Sequence, residues 1–293
     1  MINKNKIVLV GPPGVGKTSI QKVFFERKSP ISLLKYPLEP SRGVNSNVYS
    51  AFDTDIGVFD LAGQENNIWF SNKGKDIFNE SNIIICVFDI RNSLESIIKF
   101  LIKIYKLKKE LNLRSCKIIA FLHKIDLRSN PYIYHKLKNI QDFITIQHPH
   151  GKDFEIYETS ITKDYFYKTY CIISSILNLI YQKNLIPIKQ QEFQELKREL
   201  SIILTSDPLI KYKASDLINN SKVNSEEIKH HLERLEKLGF IKSFDEFESF
   251  KLTDTAYYFK FGLEKENTSK QESYFNKKIE LFHIFLHLKE KGV

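Results

Sequence analysis

Apolar residues run along the chain in two rhythms. In the first half they form short, nearly unbroken runs: Lys6–Val10, Ile56–Phe59, Asn82–Phe88, Lys117–Leu122 and Phe154–Tyr157. Runs of this length, apolar almost throughout, suit strands covered on both faces. Between them Thr18–Arg27, Ser93–Leu111 and Lys163–Tyr181 repeat apolar residues at helical spacing. Strands alternating with helices predict right-handed crossover units. The expected fold is therefore α/β, a mostly parallel sheet covered by helices on both faces.

After Asn184 the rhythm changes. Ile186-Pro187 interrupts the chain, and Gln191–Thr205, Ala214–Asn219 and Ser225–Leu238 read as helices, the last closed by Gly239. Phe240–Leu252 reads as two short strands around the polar turn Ser243–Glu246, and Thr255–Phe261 and residues 270–289 add closing helices. Three helices followed by a two-stranded ribbon is the order of a winged helix. The expected organisation is an α/β domain over 1–185 and a small winged-helix-like α+β domain over 186–293.

Charge sharpens that division. The chain has a net charge of +9, yet the first 185 residues carry 26 Lys+Arg against 17 Asp+Glu, while the remainder carries 18 of each. The excess thus belongs to one domain. With 42% hydrophobic and 27% charged residues over 293 positions, the composition is that of a globular protein rather than a disordered one. No apolar run approaches the roughly 20 residues of a membrane span. Ile2 excludes myristoylation, the KGV ending lacks a prenylation cysteine, and MINKNKIVLV lacks a signal-peptide cleavage site. Cys86, Cys116 and Cys171 lie in apolar surroundings without metal-ligand spacing, so free thiols in the reducing cytoplasm are expected.

The chemistry gathers at strand ends. Gly11-Pro-Pro-Gly14-Val15-Gly16-Lys17-Thr18-Ser19 matches the phosphate-loop pattern GxxxxGK[ST], and it follows a strand and opens a helix. Successive backbone N–H groups there form an anion cradle, reinforced by the helix N-terminus. Lys17 is expected to reach β- and γ-phosphates, and the Thr18 hydroxyl to ligate Mg²⁺. At the end of another strand, Asp60-Leu-Ala-Gly63-Gln64-Glu65 offers Asp60 to Mg²⁺, the Gly63 N–H to a γ-phosphate and Gln64 to an attacking water. His123-Lys124-Ile125-Asp126 offers base selection. A carboxylate at Asp126 accepts from N1–H and the exocyclic amine of guanine, whereas adenine would leave the charge facing a lone pair. The stem of Lys124 can cover the base plane, and a backbone N–H in Glu158-Thr159-Ser160-Ile161 can meet guanine O6.

These four pieces in this order resemble a small Ras-type GTPase over about residues 4–184. Within that superfamily, the His of HKID and the segments IICVFDI, AFLHKIDL and YETSI resemble the Rag GTPases. The resemblance implies a guanine-nucleotide switch that binds GTP or GDP with Mg²⁺ and hydrolyses GTP slowly without an activating protein. It implies effector, activating and exchange proteins as partners, pairing as a homo- or heterodimer, a role in signalling or trafficking, and recruitment to a membrane surface through partners. It also requires a hydroxyl in the first switch segment. In Pro40-Ser41-Arg42-Gly43, Ser41 stands where a Thr is usual, and a serine hydroxyl can ligate Mg²⁺ equally well. Pro13 stands where Ras proteins have Gly and donates no N–H. Rag proteins follow the GTPase domain with a longin/roadblock-type domain, and the tail of this chain does not read that way.

For the tail, DNA binding competes with protein contact. Glu226 and Glu227 lie where a recognition helix meets phosphates, and the wing Ser243–Ser249 is acidic. Such a surface lacks the cations that DNA binding depends on, so protein or dimer contact is favoured, with a nucleotide-gated DNA-binding regulator or a non-hydrolysing scaffold as alternatives. The lysines from Lys99 to Lys109 read as a solvated helix face, and His230-His231 and His148/His150 as surface histidines without metal spacing.

Overall fold

The computed structural model describes residues 4–51, 54–127, 138–140, 142, 154–181, 188, 190–220, 224–266, 279, 283, 285 and 287–290. The expected boundary at 185/186, His148 and His150 lie outside these. Packing divides the chain into two compact units, each drawn from separated stretches: 1–21, 38–161 and 289–293 form the first, 22–37 and 162–288 the second.

In chain order the strands of the first unit are β1 (Lys4–Val10), β2 (Val44–Ala51), β3 (Thr54–Leu61), β4 (Ile83–Asp89), β5 (Lys117–His123) and β6 (Phe154–Thr159). With Lys289–Glu290, called β10, they make a seven-stranded sheet in the order β10-β2-β3-β1-β4-β5-β6. The pairings around β1, β4, β5 and β6 are parallel, while β2 runs antiparallel on β3 and β10 antiparallel on β2. Every residue of β4 is buried, which requires cover on both faces and explains its unbroken apolar run. Strand β2 was not expected, because VNSNVYSA is polar and largely exposed at its start.

Parallel register is what positions the site. Leu9 pairs with Asp60, Asp89 with His123, and His123 with Thr159. The carboxyl ends of five strands therefore meet along one edge, where open α/β sheets bind their ligands.

Helix α4 (Leu94–Glu110) starts where the Ser93 side chain accepts from the Ser96 N–H. It buries Ile97, Phe100, Leu101, Ile104 and Leu107, each worth about 1.5–3 kcal/mol of transfer free energy, and exposes Lys99, Lys103, Lys106 and Lys109 as a solvated face. Helix α1 departs from the regular Thr18–Arg27 helix expected. It is α-helical only over Lys17–Ile20 and widens to a π-helix over Gln21–Phe25. Ile20, Gln21, Val23, Phe24 and Phe25 are all buried, more than one stripe of an α-helix presents.

The second unit holds α2 (Pro30–Lys35), α5 (Lys163–Tyr181), α6 (Gln190–Thr205), β7 (Tyr212–Lys213), α7 (Ala214–Asn220), α8 (Ser225–Lys237), β8 (Ile241–Phe244), β9 (Ser249–Leu252) and α9 (Asp254–Glu266). The three strands form an antiparallel sheet in the order β7-β9-β8, so the ribbon expected from sequence gains a third, two-residue strand. An aromatic cluster centres on Tyr170, whose ring stacks on Phe285 at 4.2 Å and meets Phe259 edge-on at 5.1 Å. Phe250 is fully buried, so it and Phe285 serve the unit's own core.

His231 differs from the surface histidine expected. It is fully buried on the inner face of α8, and its Nδ1 lies 3.1 Å from Glu199 Oε1 of α6. Arg234, one turn further on, brings Nε within 2.6 Å of the same oxygen. A pair of adjacent histidines on a helix places them on different faces, and only packing says which one turns inward.

Candidate nucleotide site

The loop between β1 and α1 wraps its own lysine. Lys17 Nζ donates to the Gly11 carbonyl at 3.0 Å and to the Pro12 carbonyl at 2.9 Å. Burial lowers the Lys17 pKa to about 8, against the opposing pull of Asp60. Gly14 (φ 71°) and Gly16 (φ 102°) take left-handed backbone that the loop needs, Val15 is buried between them, and Ser19 is half-buried in the first helical turn.

Three residues expected to hold Mg²⁺ converge here. Thr18 Oγ1 donates to Asp60 Oδ2 at 2.5 Å and lies 2.9 Å from Ser41 Oγ. The Asp60 carboxyl is buried, and its Oδ1 has no hydrogen-bond partner. Burial raises the Asp60 pKa, while the Thr18 hydrogen bond and the Lys17 charge pull it down. Two hydroxyls and a carboxylate with an unsatisfied oxygen form a hard, all-oxygen donor set, which fits Mg²⁺.

The segment from Gly63 to Asn66 is fastened against the phosphate loop. A Cβ on Gly63 would stand 2.5 Å from the Pro12 carbonyl carbon, so only glycine lets the two backbones approach this closely. Asn66, at the start of α3 (Asn66–Trp69), donates from Nδ2 to the Gly11 carbonyl at 3.1 Å, and Glu65 Oε1 accepts from the Gly43 N–H at 2.8 Å. Glu65 and Asn66 are contacts the motif did not single out. Gln64 is exposed in the Gly63–Glu65 turn, and Arg42 is exposed beside Ser41.

The residues expected to select the base knit the other strand ends together. His123 is buried, with Nδ1 3.0 Å from Thr159 Oγ1, and its ring would meet a Cβ on Gly16 at 2.6 Å. Burial, aided by Lys124, lowers the His123 pKa to about 3, so the imidazole is neutral. It is a spacer between β6 and the phosphate loop. Lys124 adopts φ 59°, unusual for a side-chain-bearing residue, and its Nζ donates to the Gly14 carbonyl at 2.6 Å. The same Nζ pairs with Asp89 at 3.0 Å. At Asp89 burial disfavours the charge, yet hydrogen bonds from Arg91 and Lys124 outweigh it and hold the carboxyl well below its usual range. Asp89 was missed from sequence, although an acid closing an apolar strand was a readable signal. Asp126 is exposed and accepts from the Ser160 hydroxyl, while Ser160 and Ile161 are buried.

A parallel sheet that opens with a phosphate loop and gathers these groups at its carboxyl edge defines the P-loop GTPase class of fold. Within that class, a family model described as the Gtr1/RagA G protein conserved region matches residues 6–237, and the chain belongs to this family. It is thus a G protein, a GTP-binding switch in general terms. The match runs past the nucleotide motifs through α8, the first elements of the C-terminal region. Comparison with curated proteins gives no match. Among the described residues, no helix is long and apolar enough to cross a membrane.

Proposed function

We propose that the chain binds GTP and GDP with Mg²⁺, hydrolyses GTP slowly, and passes its nucleotide state to partner proteins. The observation that carries this reading is the convergence of Thr18, Ser41 and Asp60 beside Lys17, with Asp60 Oδ1 left unsatisfied. These side chains would hold the metal, which when bound offsets charge on the phosphate oxygens. Lys17 exchanges its two loop carbonyls for phosphate oxygens, and the backbone N–H groups of Gly14 to Ser19 face the same anion. Asp126, oriented by Ser160, selects guanine, while Lys124 and His123 hold the base pocket against the loop. Gln64, free of the loop contacts that tie its neighbours, orients the attacking water once nucleotide is bound. Turnover on the order of 10⁻⁴ to 10⁻² per second is expected without an activating protein.

The winged-helix-like part of the second unit contacts proteins, including a second copy of this chain or a related one. Lys211 near the wing is already paired with Asp245 at 3.7 Å, and α8 begins with Glu226 and Glu227, which favours protein over nucleic acid. The expected setting is the cytoplasm, with membrane recruitment through partners. The test is fluorescent-GDP binding with and without Mg²⁺, followed by single-turnover GTP hydrolysis. Gln64→Leu is expected to keep GTP affinity and slow hydrolysis by roughly tenfold or more; unchanged hydrolysis would assign the water to another group.

A further inference from the structure

The second unit contains a cluster that the nucleotide reading does not use. His283 and His287 are helical and four residues apart, so they share one face. The Nε2 atoms of both converge on a single oxygen, Glu192 Oε1 in the first turn of α6, at 2.9 and 2.7 Å. One ligand atom from each residue lies within 4.8 Å of the others. The rings stand edge to face with centroids 4.6 Å apart. His283 is 3% exposed, Glu192 25% and His287 37%, which gives a walled site with a solvent-facing mouth.

We propose that Glu192, His283 and His287 bind one transition-metal ion of the zinc class, fastening the helix that carries the histidines to α6. Two imidazole nitrogens and one carboxylate oxygen are the donors such ions select, and water completes a tetrahedron; Mg²⁺ and Ca²⁺ prefer oxygen alone. Tetrahedral ligands about 2.05 Å from the metal stand about 3.3 Å apart, so the two N–O distances open by roughly half an ångström on binding. On coordination each ring keeps its single proton on Nδ1 and turns the Nε2 lone pair to the metal, so one cation takes the place of the two Nε2–H hydrogen bonds to Glu192. Arg234 is the nearby cation that acts on His283, and its charge is met by Glu195 at 3.0 Å and Glu199 at 2.6 Å.

The experiment is titration of metal-stripped, full-length protein with Zn²⁺ against a chromogenic chelator, with Mg²⁺ and GDP present throughout. One equivalent is expected to bind with submicromolar affinity, and Co²⁺ in its place to give the intense visible absorption of a four-coordinate ion. His287→Ala, at the exposed edge, and Glu192→Gln are each expected to weaken binding by at least about tenfold with an unchanged circular dichroism spectrum. Exposed His230→Ala is expected to bind as the parent does. Absence of a stoichiometric site, equal affinity in His287→Ala and the parent, or loss of binding in His230→Ala overturns the proposal and leaves a hydrogen-bonded cluster.

Discussion

Asp60 and Glu199 are both buried acids, at 1% and 0% exposure, and one oxygen of each lacks a hydrogen-bond partner. Charge is what separates them. Glu199 has Arg234 and His231 built against it by the fold, at 2.6 and 3.1 Å. Among the described residues Asp60 has the Thr18 hydroxyl as its hydrogen-bond partner and the Lys17 charge beyond, and burial raises its pKa. A buried acid whose countercharge comes from its own chain is architecture. One whose countercharge is incomplete marks a place for a ligand, because uncompensated burial persists only where binding repays it.

The sharpest way to break this comparison is to remove Lys17. Lys17→Ala is expected to weaken GDP binding by about 10²- to 10⁴-fold, since each charge-assisted hydrogen bond contributes roughly 1.5–3 kcal/mol. Retained affinity in a nucleotide-exchange assay would remove the phosphate-loop assignment. Next in size, Glu199→Ala leaves the half-buried Arg234 guanidinium with Glu195 alone and takes away the His231 partner, and is expected to cost about 1–3 kcal/mol in a urea melt. If stability is instead unchanged, the Glu199 cluster is not the structural counterpart claimed here. Asp126→Asn is expected to lower guanine affinity by about 10- to 100-fold and to raise affinity for xanthine nucleotides, read by competition against fluorescent GDP. Preserved guanine preference would place selectivity elsewhere.

The smallest expected effect is on pH dependence. Lys17 titrates at about 8 when the site is empty, and phosphate oxygens beside it raise that value. Above pH 8, binding therefore takes up a proton, and GDP affinity falls by at most about tenfold per pH unit as pH rises. Calorimetry in two buffers of different ionisation enthalpy measures the uptake. Binding that is independent of pH between 8 and 9 would mean that Lys17 is already charged in the empty protein.

Much of the nucleotide site was legible because its parts are local. Gly11 to Ser19 carries its own turn, anion cradle and helix start within nine residues, and the apolar runs of β1, β4 and β5 announce strands buried on both faces. Ser41, separated from Thr18 by 23 positions, was reached only through the family resemblance, which asks for a hydroxyl in the first switch segment. Strand β2 escaped because its polar start lacks the hydrophobic pattern on which such readings depend. The π-turn at Gln21–Phe25 escaped because helical spacing does not report how many neighbours the tertiary core will demand.

What the sequence itself determined was local: the phosphate-loop pattern, the His123–Asp126 tetrad expected to select guanine, and the change of rhythm after Asn184. Tertiary structure alone decided that His231 turns inward to Glu199, that Lys124 bridges Gly14 and Asp89, and that Glu192 meets His283 and His287 across 91 and 95 positions. The physical reason is range. Backbone geometry and periodicity act over a few residues, whereas the burial and pairing of a charge depend on whatever distant segment the fold delivers beside it.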